Sequence, residues 1–346
     1  MMKSAFLGCG PRAAEHAMAY RHVRQGTIGA ICDIDRERLD AFGDRFDIAA
    51  RYTDLEIMLT EEKPDLLHIV TSPRVRLEPM QTASRNGVPA VIVEKPIAIT
   101  GEDYEALVDL ELASRTPSHG AATRFIVNTQ LHYHPRVAEF RGDLASGRIG
   151  EIRFVTASSR LPTISQAPHV LQLVSAFLGF PKPVRVIGQV AGADNLSGLE
   201  HAPDNAAMLV TYLNGTQAQI TLGMANAPVI ESGAPDHMHK QVTIYGSEGY
   251  LRWDMFGWER STLKDGFESG KHSYYDEDLI AQGAFTEAAF DWVADANKIH
   301  PTNLARSLSE FNIILGLYAS AIDHTTVELP CEPIGDILTK LARVLA

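Results

Sequence analysis

Three cysteines in 346 residues, Cys9, Cys32 and Cys331, are too few and too scattered for a disulfide framework or a zinc site. No metal is expected, and a reducing, cytoplasmic setting fits. No apolar run approaches the roughly 18 residues that begin to span a bilayer. Met1-Met2-Lys3-Ser4 leads straight into a strand and reads as having no signal peptide, so no membrane partner is expected. Basic residues are the minority, 31 against 43 acidic, and the formal net charge is −12. Nucleic acid attracts the opposite balance, so it is not an expected partner. Internal repeats and low-complexity segments are missing too. What is present is an ordinary globular chain, 45% hydrophobic, of a length that suggests about two domains.

One stretch, Val91-Ile92-Val93-Glu94-Lys95-Pro96, organises the rest. Its β-branched run has the character of an inner strand of a parallel sheet, and Pro96, lacking an N–H, ends the ladder. Glu94 and Lys95 therefore fall at a carboxyl strand end, where open α/β sheets bind ligands. A lysine there carries protons if partial burial lowers its pKa. The plain alternative is a solvated surface loop.

Upstream, Ala5-Phe6-Leu7 ends a strand, Gly8-Cys9-Gly10-Pro11-Arg12-Ala13 follows, and 14–24 reads as a helix. This is G-x-G-x-x-A between strand and helix. Gly8 permits the tight turn, Gly10 lets backbone approach a pyrophosphate, and Ala13 keeps helix and strand close. The helix N-terminus, with Pro11 and Arg12, faces the phosphates. A second strand, 28–32, ends at Asp33. An acid there hydrogen-bonds a ribose 2′-OH and repels a 2′-phosphate, which favours NAD over NADP, although Arg36 is near enough to accept the phosphate. The competing role for Asp33 is N-cap of a helix over 36–46. Alternation continues through a strand over 66–70, with Thr71-Ser72-Pro73 as a cofactor-side loop at its carboxyl end. A helix over 76–86, the Val91 strand, a helix over 102–114 and a strand over 119–123 follow. His68, inside a strand, reads as a packed histidine. The expected fold is α/β: a doubly wound, parallel-stranded Rossmann domain over 1–124, with residues 125–346 left for a second domain.

Gly8-x-Gly10, Asp33 and Glu94-Lys95-Pro96, in that order and spacing, resemble the glucose–fructose oxidoreductase, inositol dehydrogenase and rhizopine catabolism (Gfo/Idh/MocA) family. The likeness runs through nearly the whole chain: His134-Pro135-Arg136-Val137, Gly147 to Ile152, His169 with Leu178-Gly179, Asp204-Asn205, Tyr245 to Gly249, and Val327-Glu328-Leu329-Pro330. The resemblance implies that the second domain, 125–346, is α/β with a large, open, mostly antiparallel sheet. It implies an NAD(P)-dependent oxidoreductase of sugars or cyclitols, built as a homodimer or homotetramer through that sheet. It gives Lys95 the reacting hydroxyl and its proton, Glu94 the support of the cofactor's ribose or nicotinamide end, and Pro96 the fixing of the turn.

Local patterns in the second half agree with that fold. Strands are expected at 152–157, 184–190, 206–212, 217–222, 242–245 and 250–253, with Asn214-Gly215 as a hairpin turn. Helices are expected at 169–178, with Pro168 suited to its first turn, and at 285–297, 304–322 and 334–345. His132 and His134 flank Tyr133 near the domain junction, and His132 is a candidate for lining a sugar pocket. As an i, i+2 pair they could also bind metal, but no third ligand is indicated. His237 and His239 read as loop residues, and His272 as a polar-loop residue. Trp253, Phe256 and Trp258 offer either a sugar-stacking face or sheet packing.

The family's active-site helix usually reads Asp-x-x-x-His-x-x-Asp. Here the residues are Ser165, His169 and Gln172, so both carboxylates are missing, and Arg76 aligns with a frequent histidine of the family. His169 remains as general base near neutral pH, and Lys95 as holder of the developing alkoxide. Gln172, Arg76, Ser165 and His132 are left as substrate-positioning candidates. Three readings stay open: an NAD-dependent dehydrogenase or reductase of a sugar, sugar acid or cyclitol; an NAD-recycling lyase or glycosidase on the same fold; and a non-catalytic protein that keeps the cofactor.

Overall fold

Apolar runs alternate with helix-forming segments over the first third of the chain, and short connections between them force parallel pairing through helical crossovers. In the computed structural model these become β1 (Met2–Leu7), α1 (Pro11–Ala19), β2 (Gly26–Cys32), α2 (Arg36–Phe46), β3 (Ala50–Tyr52), α3 (Leu55–Glu62), β4 (Leu66–Ile69), α4 (Leu77–Arg85), β5 (Ala90–Glu94), α5 (Gly101–Arg115) and β6 (Arg124–Asn128). The structure describes residues 1–115, 122–196, 201–230, 233–332 and 335–345. The six strands form one parallel sheet in the order β3-β2-β1-β4-β5-β6. The chain thus leaves β1 to one side and returns to the other at β4. The carboxyl ends of β1 and β4 flank the switch point where such sheets bind ligands.

Several boundaries differ from the sequence reading. The first helix starts at Pro11 and gives way after Ala19 to one 3-10 turn, Tyr20–His22. The helix expected over 76–86 begins as a separate 3-10 turn, Pro73–Val75. The strand expected over 119–123 lies largely outside the described residues, and β6 begins at Arg124. Asp35, not Asp33, caps α2, accepting the N–H of Arg38. That leaves Asp33 available for other work.

The later elements are α6 (Pro135–Ala145), β7 (Ile152–Ser159), α7 (Thr163–Phe177), β8 (Pro183–Ala191), β9 (Asn205–Tyr212), β10 (Gln217–Gly223), β11 (Lys240–Gly246), β12 (Gly249–Asp254), β13 (Gly257–Thr262), β14 (Gly266–Lys271), α8 (Tyr274–Ala294), α9 (Leu304–Asp323), β15 (Val327–Glu328) and α10 (Ile337–Leu345). Nine strands form a second sheet in the order β14-β13-β12-β11-β7-β10-β9-β8-β15. Only β7 and β10 pair in parallel; the other neighbours are antiparallel. The Asn214-Gly215 hairpin joins β9 to β10, with Gly215 at φ 84°. α7 lies against β7, β10 and β11. It starts six residues earlier than expected, so Pro168 sits inside it rather than in its first turn. A proline there removes one i→i−4 bond.

By packing, the chain divides into two units, each discontinuous in sequence. Met1–Ala98, Glu105–Tyr133 and Asp278–Leu308 form the first; Ile99–Tyr104, His134–Glu277 and Ser309–Ala346 form the second. The first unit takes in Asp278–Leu308 because Phe285, Ala289 and Phe290 of α8 join Leu66, Ala90, Ile92 and Ile126 in one apolar cluster. A Cβ on Gly26 would lie 2.3 Å from the Phe290 ring, so the glycine makes room for that contact. Among the described residues no helix is long and apolar enough to cross a membrane.

Candidate active site

The loop after β1 is shaped by two glycines for two reasons. Gly8 has φ +95°, and a Cβ there would lie 2.4 Å from the Val70 carbonyl oxygen. Only glycine fits. A Cβ on Gly10 would meet nothing within 4 Å. The protein leaves that space open, as a backbone that must admit a ligand would. Gly10 is also the N-cap of α1, where no side chain caps the helix and Pro11 occupies the first turn. Ala13 is fully buried against the sheet. Asp33 braces the loop: its Oδ2 accepts the N–H of Cys9 at 2.8 Å and its Oδ1 that of Asp35 at 2.9 Å. Gly8, Gly10, Asp33, Thr71 and Ser72, singled out from sequence, line one cleft of about 530 Å³. Arg38 lines it as well, with Nη1 3.8 Å from Asp33 Oδ2. Arg36, the alternative cation at this place, pairs with Asp40. Burial pushes the Cys9 and Cys32 thiols up to about 12, so neither is a nucleophile at neutral pH.

The Glu94–Pro96 turn is held from both sides. Arg76, only 4% exposed, donates Nε and Nη2 to the Thr71 carbonyl at 3.1 and 2.8 Å. It also donates to the carbonyls of Glu94 and Pro96, and to that of Lys95 at 3.4 Å. One guanidinium thus ties the loop after β4 to the turn after β5. On the other side, Glu94 Oε1 accepts from Arg12 Nε at 2.8 Å, His16 Nε2 at 2.9 Å and Asn128 Nδ2 at 2.7 Å, and Oε2 accepts the Lys95 N–H at 3.1 Å. Burial raises the Glu94 pKa, but Arg12, His16 and Lys95 outweigh it and hold the carboxyl well below its usual range. Asn128 and Gln282 exchange reciprocal amide bonds at 3.1 Å, and Gln130 donates to Asp278 at 2.9 Å. None of His16, Asn128 or Gln282 stands out in the sequence. A signal was there in Arg12, His16 and Tyr20, polar groups at i, i+4 and i+8 on one helix face.

Ser165, His169 and Gln172 fall on one face of α7, in the second unit, by their i, i+4, i+7 spacing. His169 and Gln172 are buried, Ser165 half-buried, and α7 contains no acidic residue. His132 is buried in the first unit, its ring edge-on to Tyr133. Trp253 is fully buried, while Trp258 lies on β13 under the Arg136 guanidinium, 4.0 Å away. Among the described residues one group, His134, His272 and Glu277, brings three ligand-type atoms within 4.8 Å of one another. The Arg136 N–H donates to His134 Nδ1 at 3.2 Å, so the neutral ring carries its proton on Nε2. His134 Nε2 lies 2.9 Å from Glu277 Oε2.

A parallel sheet of order 3-2-1-4-5-6 with an open glycine loop and an acid at the end of β2 defines a dinucleotide-binding fold. The chain belongs to the Gfo/Idh/MocA family. The family described as "Oxidoreductase family, NAD-binding Rossmann fold" matches residues 2–116. A D-apiose dehydrogenase of Paraburkholderia graminis is 32% identical over 267 residues, 72% of this chain and 67% of the relative. A D-apiose dehydrogenase of Rhizobium rhizogenes is 31% identical over 150 residues, 43% of this chain and 41% of the relative. An oxidoreductase of Agrobacterium radiobacter, solved in complex with NAD+, L-tartaric acid and magnesium, superposes with a TM-score of 0.79 at 21% identity, over 94% of this chain and 98% of that one. At that identity the last likeness concerns the fold alone. NAD is the cofactor, and the loop and cleft fit it: open space at Gly10, an uncapped helix start, and a carboxylate at Asp33.

Proposed function

We propose that this protein is an NAD-dependent dehydrogenase or reductase acting on a hydroxyl or ketone of a sugar, sugar acid or cyclitol. The observation that carries the reading is Glu94-Lys95 at the end of β5, anchored directly to the cofactor loop by Arg12. The relatives' names, D-apiose dehydrogenases, support the substrate class. Gly8, Gly10, Pro11, Arg12 and Ala13 form the pyrophosphate turn, Asp33 takes the ribose diol, and Thr71, Ser72 and Pro73 border the nicotinamide side. When bound, NAD supplies the hydride acceptor or donor. Lys95 Nζ holds the reacting oxygen and stabilises the alkoxide as hydride leaves carbon. His169 takes the hydroxyl proton, and Ser165, Gln172 and His132 position the substrate. Arg76 acts by clamping the turn through carbonyls rather than by touching sugar. Pro96 closes that turn. Exposed Ile187, Tyr245 and Phe267 on the second sheet support a homodimer or homotetramer built on it. The scattered thiols fit a cytoplasmic enzyme.

A second reading rests on the missing carboxylates of α7. With only His169 as base, a transient oxidation could serve an elimination or hydrolysis and be reversed before release.

Lys95→Ala tests the leading reading. Turnover of a sugar or inositol should fall by about a hundredfold or more, while NAD affinity stays within about threefold. Equal turnover in the variant would remove Lys95 from the chemistry.

A further inference from the structure

A line of polar groups crosses the interior of the first unit, from β1 to the Glu94 carboxylate. Ser4, His16 and His68 are at most 1% exposed, and Glu94 is 5% exposed. Ser4 Oγ meets Tyr20 Oη. Tyr20 Oη lies 2.8 Å from His68 Nε2, His68 Nδ1 lies 3.3 Å from His16 Nδ1, and His16 Nε2 lies 2.9 Å from Glu94 Oε1. Every link joins a different element: Ser4 is on β1, Tyr20 follows α1, His68 is on β4, His16 on α1, and Glu94 ends β5.

Counting protons gives the line one direction. The ionised Glu94 carboxylate only accepts, so His16 Nε2 carries a proton. Burial keeps the His16 ring neutral, against the raising effect of Glu94, so its Nδ1 is a lone pair. His68 must then donate through Nδ1, which leaves its Nε2 to accept from the Tyr20 hydroxyl, and Ser4 donates to Tyr20. The reverse order would set the His16 Nε2 lone pair against a carboxylate oxygen at 2.9 Å. Asn128 Nδ2, 3.0 Å from His16 Nε2, uses its two hydrogens on Glu94 Oε1 and Gln282 Oε1. Packing fixes the two rings in this arrangement, since His68 stacks on Phe6 at 4.3 Å and 9° and meets His16 at 78°.

We propose that His16 and His68 are positioning residues: the one-way chain Ser4 to Tyr20 to His68 to His16 to Glu94 holds that carboxylate in one orientation, and with it the turn that carries Lys95. The link to turnover rests on the dehydrogenase reading of Lys95; the chain itself does not. An imidazole suits this position because it passes a hydrogen bond through, accepting at one nitrogen and donating at the other. Loss of the His68 donor leaves His16 Nδ1 unpaired in the interior and lets the His16 ring, and the carboxylate it grips, change orientation.

The test has two parts. Nitrogen-15 histidine spectra of the full chain at pH 7 should show His68 protonated at Nδ1 alone and His16 at Nε2 alone. The opposite tautomer at either ring, or a doubly protonated ring, would overturn the chain. His68→Phe, which keeps a ring against Phe6, should lower kcat about tenfold with NAD affinity within about twofold. Should that variant fail to fold, Tyr20→Phe removes a single oxygen and should lower kcat about threefold with the same affinity and shift the His68 Nε2 resonance. Unchanged kcat, or kcat and NAD affinity falling together, would overturn the positioning role. A wild-type protein that turns over no sugar would sink the dehydrogenase reading, while the tautomers would still decide the chain.

Discussion

Asp33 and Lys95 follow β2 and β5, in neighbouring halves of one sheet, and the proposed reaction assigns the cofactor to Asp33 and the chemistry to Lys95. Asp33→Ala removes both the proposed ribose acceptor and the bond to the Cys9 N–H. A charge-assisted bond of this kind contributes about 1.5–3 kcal/mol. KM for NAD should therefore rise about tenfold or more, with kcat within about threefold, in steady-state assays at saturating sugar; an unchanged KM would contradict the role. The residues that line the cleft were legible because short spacings fix them: Gly8 and Gly10 share a turn, and Thr71 and Ser72 directly follow a strand. The grip on Glu94 was not, because Arg12 and His16 are separated from it by 82 and 78 positions and only the sheet order brings them together. Arg76 is the instructive case. Alignment with a family histidine suggested a substrate contact, whereas its donors meet backbone carbonyls that no sequence pattern reveals.

At the scale of elements, strands and helices with strong periodicity were readable, and those defined by tertiary context were not. β13 and β14 are polar strands, Gly257–Thr262 and Gly266–Lys271, without an apolar signal; β13 pairs on the edge that β12 offers, and β14 on β13. α8 was read as starting at 285 but runs from Tyr274, since its first turns are acidic and aromatic rather than apolar. Its packing makes a prediction. Phe290 is fully buried and fills the space above Gly26, next to Leu66, Ile92 and Ile126. Phe290→Ala should destabilise the first unit by about 3–5 kcal/mol, the usual range for a buried Phe-to-Ala change. Chemical denaturation followed by a probe in that unit would measure it, and a loss below about 1 kcal/mol would contradict the assigned packing.

For the whole chain, acid stability is set first by histidines. His16, His68, His134 and His300 all have pKa values lowered from 6.5, chiefly by burial, to about 3 for His134 and His300. They are neutral in the fold and gain protons when it opens. Below pH 6.5 the unfolded chain binds more protons, so stability is complete above that pH and falls as pH drops towards about 3. Glu94 acts in the same direction but at lower pH: its depressed pKa contributes stability that is complete above about 4.5 and is lost as the pH falls from there through the folded value. Calorimetry should show Tm declining between pH 7 and 5, before most carboxylates titrate; a flat Tm over that interval would contradict the burial of these rings. The sequence pattern announced two domains but not their discontinuity, because residues 278–308 join the first unit through apolar contacts rather than through any motif. The central claim concerns where the hydride goes. The most direct measurement uses sugars and inositols deuteriated at the carbinol carbon, with NAD and the purified full chain, and reads product and cofactor by mass. The account predicts one oxidised product per NADH, with the deuterium on the NADH. Sugar altered with no NADH formed, or with deuterium returned to the sugar product, would contradict it.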